Sequence, residues 1–392
     1  MGNMFRFVHC ADLHLGSRFK GLGSVDQGLA ERMRLSVMES FERIVDAAIR
    51  ERVDMMVISG DLYDDSNELP STRMWLVRQL SRLTVPVFIC RGNHDSRTSW
   101  DGSIPYPSNV HEFGPEVESI MLEGGIQVLG ASYSTPHESR NLASMMQGDP
   151  GAFTVACLHC DIDTYSEGYP YAPCSIKDMI GKGVDYWALG HIHKRNVILT
   201  GPYVVYPGNI QGRSFKETGE KGAYLVTVES GRVSSLTFIP TQTYIWEDIT
   251  VDITGRSLPE IVGGLSHLGG DRVCRLRFVG SGELDTMLRT SSDEVRKAVS
   301  DSTGCIVSDV IVETVPSVDL DARSEGRDMG AAIIQCGRKM EAMGKDEIVD
   351  LVCQNKVMAR YRQQLMSMTD EEIRSLVSDA MRSSLAKMEA LR

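Results

Sequence analysis

Along the first 240 positions, short apolar runs alternate with longer amphipathic stretches, and each short run ends on polar, chemically capable residues. Five runs show this most clearly: MFRFVHCAD from Met4, DMMVISGD from Asp54, VPVFICRGNHD from Val85, FTVACLHC from Phe153 and VDYWALGH from Val184. Their length and residue types predict strands. Between them, Gln27 to Arg52 and Ser71 to Leu83 carry helical spacing, while Val117 to Ser134 and Tyr203 to Phe238 read as strands without helical interruption. The alternation predicts an α/β layer architecture. Open α/β sheets bind ligands at the carboxyl ends of their strands, so five strand ends bearing Asp, His or Asn predict one shared site.

The pattern changes near Pro240 to Asp248, giving expected domains of 1–245, 246–318 and 319–392. In the middle segment Thr250 to Ile253, Arg272 to Val279 and Ile306 to Val315 read as strands, and Pro259 to Leu268 and Glu283 to Val299 as helices, a small α/β appendage. From about Leu320 the spacing is helical. Thr369 and Glu372 form a capping box ahead of an apolar stripe of Ile373, Leu376, Val377, Ala380 and Met381.

A chain of 392 residues is long for a single core, which fits a catalytic domain with appendages. Hydrophobic residues at 42% and charged residues at 24% are those of a globular protein. No run approaches the roughly 18 apolar residues of a membrane span. The N-terminal MGNMFRFVHCADLH enters a strand pattern directly, so a cytoplasmic location without membrane attachment is expected. The nine cysteines (10, 90, 157, 160, 174, 274, 305, 336 and 353) lie mostly in apolar segments and read as reduced thiols. Cys157 and Cys160 form a C-x-x-C, but no second pair stands at zinc-site spacing. The net charge of −12 argues against a protein that coats nucleic acid, though not against a local basic groove.

Five of the nine histidines (14, 94, 159, 191 and 193) fall in short polar motifs at strand ends, whereas His9, His111, His137 and His267 share none and read as structural. In extended backbone, residues two apart face the same side, so Asp12 with His14, and His191 with His193, are each expected to present two ligands to one pocket. Carboxylate, amide and imidazole donors together suit manganese, iron or zinc. Seven candidates exceed one ion's needs, and two ions roughly 3.5–4 Å apart are the arrangement that clamps a phosphate for in-line attack.

The ordered motifs ADLH from Ala11, GDLYD from Gly60, GNHD from Gly92, LHC around His159 and GHIH from Gly190 resemble those of the calcineurin-like metallophosphoesterases. That resemblance implies a four-layer α/β/β/α sandwich with the site at the strand ends, to which the pattern above adds a small α/β capping domain and a helical tail. It implies Asp12, His14, Asp61 and His193 as ligands of a first divalent ion, and Asp61, Asn93, His159 and His191 as ligands of a second, with Mn2+ the expected metal. His94 would stabilise the phosphoryl oxygens and protonate the leaving group, with Asp64 orienting it. Gly60, Gly92 and Gly190 read as tight backbone positions, and Asp65, Asp95 and Asp163 as turn caps.

Within that superfamily, HCADLHLGS, YPGNIQGRSFKETGEKGAYLV and LGGDRVCRLRFVGSGELD are similar to segments of SbcD-type DNA repair exonucleases and their YhaO-like relatives. The implied activity is hydrolysis of DNA phosphodiesters by metal-activated water. The implied partners are DNA and an SMC-like ATPase subunit docked on the methionine-rich tail, with a homodimer left open. Arg18, Lys20, Arg97, Lys194 and Arg195 trail the motifs, and with Arg213 they form an expected substrate rim. Tyr165, Tyr169 and Tyr171 follow His159, where they could stack on bases or pack over the loop. A phosphomonoesterase, a cyclic-nucleotide phosphodiesterase or a non-catalytic scaffold are the alternatives.

Overall fold

The computed structural model describes residues 4–17, 27–64, 69–96, 103–162, 171–317 and 320–389. Arg18, Lys20, Asp65, Arg97, Asp163, Tyr165 and Tyr169 lie outside the described residues. Contacts divide the chain into two compact units, where the sequence suggested three segments. One is Met1–Asp248 with Leu268–Arg275 and Gly304–Ser308; the other is Ile249–His267, Leu276–Thr303 and Asp309–Arg392.

In the first unit the chain runs β1 (Met4–Cys10), α1 (Gln27–Arg50), β2 (Met55–Ser59), α2 (Pro70–Leu80), β3 (Val87–Cys90), β4 (Val110–Glu112), β5 (Glu118–Leu122) and β6 (Ile126–Ala131). It continues through α3 (Leu142–Met145), β7 (Phe153–His159), α4 (Ile176–Met179), β8 (Tyr186–Gly190), β9 (Asn196–Thr200), β10 (Tyr203–Tyr206), β11 (Gly222–Glu229) and β12 (Arg232–Pro240). Two six-stranded sheets result, ordered β12-β11-β1-β2-β3-β4 and β5-β6-β7-β8-β10-β9. β1 to β4 are mutually parallel in the first sheet, and β6, β7, β8 and β10 in the second.

Three apolar layers hold the sandwich. Phe7, Val57 and Phe88 of the first sheet meet Val128, Val155 and Tyr186 of the second in the central layer. Phe41, Ile44 and Val45 of α1, with Leu76 and Leu80 of α2, cover the outer face of the first sheet against Val8, Met56 and Ile89. Leu142 and Met179, from α3 and α4, join Ala156, Leu158 and Trp187 on the outer face of the second. Strands covered on both faces explain why these runs are continuously apolar rather than alternating. The layers are α/β/β/α, as the resemblance implied.

Beyond β12 come β13 (Ile245–Asp252), α5 (Leu258–Gly264), β14 (Arg272–Val279), β15 (Ser281–Gly282), α6 (Leu284–Thr290), α7 (Ser292–Thr303), β16 (Ile306–Val312) and β17 (Val315–Pro316). β13, β14 and β16 form a three-stranded sheet. The stretch expected as one helix from Glu283 is two, because Ser291 leaves helical geometry at φ −141° and ψ 40°. The tail comprises α8 (Leu320–Ser324), α9 (Met329–Glu341), α10 (Lys345–Val352), α11 (Arg362–Ser367) and α12 (Asp370–Glu389). The capping box is formed: the Thr369 amide donates to Glu372 Oε2 at 2.7 Å and the Glu372 amide to Thr369 Oγ1 at 3.2 Å. Ile373, Val377 and Met381 are buried, and Leu376 is exposed on an apolar groove of about 440 Å³. No described helix is long and apolar enough to cross a membrane.

Candidate metal centre

Register brings the strand ends level. Cys10 pairs with Ile58, Ser59 with Cys90, and His159 with Gly190, so the segments after β1, β2, β3 and β8 leave the sheets together, beside the last residue of β7. These ends carry Asp12 and His14, Asp61 and Asp64, Asn93 and His94, His191 and His193, and His159. The metal-competent groups among the described residues are Asp12–His14–His193, Asp12–Asp61–His159 and His14–Asp64–His94. No cysteine belongs to any of them, and all nine cysteines are free thiols.

The pairs Asp12/His14 and His191/His193 reach the site by a different route from the extended backbone expected. Asp12 (φ 52°), His14 (φ 47°), Asp61 (φ 50°) and His191 (φ 104°) all lie at positive φ, four of the seven such non-glycine residues among those described. Side chains adopt that region at a cost, and the surrounding structure must enforce it. Here the enforcing contacts are amides: Asp12 N–H donates to Gly60 O at 3.1 Å, His14 N–H to Asp61 O at 2.9 Å, and His191 N–H to Asp12 Oδ1 at 3.0 Å. The His94 amide likewise donates to Asp61 Oδ1 at 3.0 Å.

Close approach explains two glycines better than turning does. A Cβ on Gly92 would lie 2.3 Å from Asp61 Oδ1 and 2.7 Å from His159 Nε2, and one on Gly190 would lie 1.7 Å from Ser59 O. Asp95 is more than a turn cap. Buried, it accepts the Gly92 amide and the Leu62 amide, each at 2.7 Å, and so ties the GNHD loop to the GDLYD loop. Burial and the nearby Asp61 push its carboxyl up to about 8.

The ring nitrogens decide what the site can hold. His14 Nδ1 stands 3.2 Å from Asp64 Oδ1, His193 Nδ1 stands 2.7 Å from Glu217 Oε1, and His159 Nδ1 stands 3.1 Å from the Ser59 carbonyl. Each acceptor takes the Nδ1 proton, which leaves the Nε2 lone pairs facing inward. Yet His14 Nε2 and His193 Nε2 are 3.1 Å apart, and His159 Nε2 is 3.5 Å from Asp61 Oδ2. Lone pairs held at that distance need a proton or a cation between them. Two donors each about 2.1 Å from one ion, at roughly right angles, stand about 3 Å apart. The donor set therefore fits divalent ions.

Burial pushes His14, His159 and His191 down to about 3, so these imidazoles are neutral and ligand-competent near pH 7. Burial also pushes Asp12 up to about 7, with Asp61 adding to the effect against the opposing pull of His193. Burial opposes protonation of His193, but the Glu217 hydrogen bond prevails and raises it.

Asp64 stands between two imidazoles rather than beside His94 alone. Its Oδ1 lies 3.5 Å from His94 Nδ1 but 3.2 Å from His14 Nδ1, and Ser17 Oγ donates to Oδ2 at 2.9 Å. Of the expected rim, Lys194 and Arg195 are exposed, and Arg195 lies 3.6 Å over the Phe238 ring. Arg213 is turned inward onto Glu217 and Ser17, and Lys221 Nζ donates to the His193 carbonyl at 2.9 Å. Sequence reasoning missed Glu217, Asn209 and Ser17. Their one signal was membership of the segments following two metal motifs.

The calcineurin-like phosphoesterase family model matches residues 5–195. The chain is 39% identical over 259 residues to the Uncharacterized metallophosphoesterase YhaO of Bacillus subtilis, covering 63% of each chain. It is 27% identical over 252 residues to the DNA double-strand break repair protein Mre11 of Aeropyrum pernix, 58% of this chain and 59% of that one. The same identity holds over 248 residues with the Mre11 of Saccharolobus solfataricus, 57% of this chain and 60% of that one. The matches thus span about three fifths of these curated relatives. Because the matched stretch contains all seven expected ligands at level strand ends, residues 5–195 are a calcineurin-like metallophosphoesterase domain.

Proposed function

We propose that the protein is a two-metal-dependent DNA nuclease, an exonuclease of DNA repair that hydrolyses phosphodiesters. The observation that carries the hydrolytic part is the convergence of inward lone pairs from His14, His193 and His159 on the buried carboxylates of Asp12 and Asp61. Likeness to proteins named for DNA double-strand break repair supports DNA as the substrate.

Asp12, His14, Asp61 and His193 would hold one ion, and Asp61, Asn93, His159 and His191 the other. When bound, the ions, Mn2+ in this proposal, supply positive charge to the phosphoryl oxygens and acidify water for attack. The chain's own residues do the rest. Asp61 spans both sets, and the His94 amide fixes its orientation. The His94 ring, one third exposed, stands at the edge of the site, where it can donate a proton to the departing oxygen. A covalent intermediate is not required. Lys194 and Arg195 are available to the substrate backbone, and Arg18 and Arg97 are retained as rim candidates from sequence.

The helical tail is assigned to docking an SMC-like ATPase partner. Its apolar groove among Ile333, Met340, Val352, Leu365 and Leu376 supports that assignment, since methionine-rich grooves suit helical partners. The decisive assay incubates chelator-stripped protein with end-labelled duplex and hairpin DNA, supplying Mn2+ or Mg2+ separately. Metal-dependent loss of terminal nucleotides is expected. Hydrolysis of small chromogenic or cyclic-nucleotide esters with intact DNA would replace this reading with a phosphomonoesterase or cyclic-nucleotide phosphodiesterase.

A further inference from the structure

Behind the paired nitrogens of His14 and His193 lies a second layer of charge, built from two loops far apart in sequence. On one side Asp64 accepts from His14 Nδ1 and from Ser17 Oγ. On the other, Glu217 Oε1 accepts from His193 Nδ1, while its Oε2 takes Asn209 Nδ2 at 2.9 Å and the Arg213 amide at 2.8 Å. The Arg213 guanidinium spans both carboxylates. Its Nη2 donates to Glu217 Oε1 at 3.0 Å, its Nη1 donates to Ser17 Oγ at 3.2 Å, and Nη1 stands 3.8 Å from Asp64 Oδ1.

This arrangement has a directional logic. A cation beside a metal site would repel the metal if its charge were uncompensated. Arg213 is instead satisfied by the two carboxylates whose other work is to hold the histidine tautomers. Arg213 and Glu217 are also largely sheltered, with side chains 17% and 11% exposed, so their pairing escapes much of the screening that weakens surface ion pairs. A planar fork suits this role in a way that a point charge does not.

We propose that Arg213 and Glu217 are positioning residues that lock His14 and His193 onto one of the two ions, and that Arg213 is not a substrate contact. The proposal rests on the two-ion reading of the site.

Calorimetric titration of the metal-free full chain with Mn2+ tests it. Wild type should show two binding events. Glu217→Ala and Arg213→Ala should each weaken one event by about 10–100-fold, the scale for residues that orient metal-bound histidines, and leave the other within about twofold. Glu217→Gln, which still offers His193 Nδ1 a carbonyl oxygen, should recover part of the loss, whereas Arg213→Lys should not. At saturating Mn2+ the KM for a phosphodiester should match wild type, and melting of the metal-free variants should confirm folding. Unchanged Mn2+ binding with a raised KM in Arg213→Ala would place Arg213 on the substrate and overturn the assignment. Equal weakening of both events would overturn its selectivity. Wild type that binds no Mn2+ would overturn the metal centre and this assignment together.

Discussion

Replacing His94 by Ala should separate metal binding from turnover. The ring is one third exposed, so its removal opens no sealed cavity. The contact that matters to the ions is the His94 amide on Asp61 Oδ1, and the substitution preserves it. Both ions should therefore stay. Turnover should fall by about 10²–10⁴-fold, the range for losing a positioned proton donor, or roughly 2.7–5.4 kcal/mol of barrier. Asp64→Ala is a different perturbation, because Asp64 lies nearer His14 Nδ1 than His94 Nδ1. It should weaken one Mn2+ event and, once Mn2+ is saturating, lower turnover less than His94→Ala does. The double variant at saturating Mn2+ should then match His94→Ala alone. Single-turnover hydrolysis across a Mn2+ titration measures both effects. An ion lost from His94→Ala would make His94 a ligand, and losses that multiply at saturating metal would show that Asp64 does not act through His94.

Asp61→Ala should weaken both Mn2+ events, whereas His193→Ala should weaken mainly one; a selective loss in Asp61→Ala would remove it as the shared ligand. Gly92→Ala puts a methyl 2.3 Å from Asp61 Oδ1 and should abolish tight Mn2+ binding, so retained affinity would show that the loop can yield. Glu138 is held down from 4.5 to about 2 chiefly by hydrogen bonds from the Arg140 side chain at 2.7 and 2.9 Å. A depressed carboxyl contributes stability above about pH 4.5 and loses it as pH falls toward 2. Glu138→Gln should thus melt with a flatter pH dependence in that window, and an unchanged slope would discount the pair.

The legible part of the site was which polar side chains gather at the strand ends, because each motif sits where a buried parallel strand ends and chemistry collects at such ends. The route to the site was not legible. Asp12 and His14 converge through positive φ enforced by Gly60 and Asp61 carbonyls, which lie in a different strand-end segment and become partners when β1 pairs with β2. Glu217 was hidden for a similar reason. It stands 24 positions from His193 in a loop whose charges look solvated, and the fold alone brings it to the imidazole. Asp95 looked like a cap because local spacing cannot show its second bond, to the Leu62 amide 33 positions away. In the tail, helical periodicity found α12 but could not tell a face that packs from one that lines a groove, as Leu376 does.

Joint action of two divalent ions at these strand ends is the core of the proposed mechanism. Its most direct test titrates chelator-stripped protein with Mn2+ while following both bound metal and phosphodiester hydrolysis. Hydrolysis should be absent in excess chelator, two equivalents should bind, and activity should rise with the second equivalent. Full activity in chelator, or full activity with one equivalent bound, would contradict it.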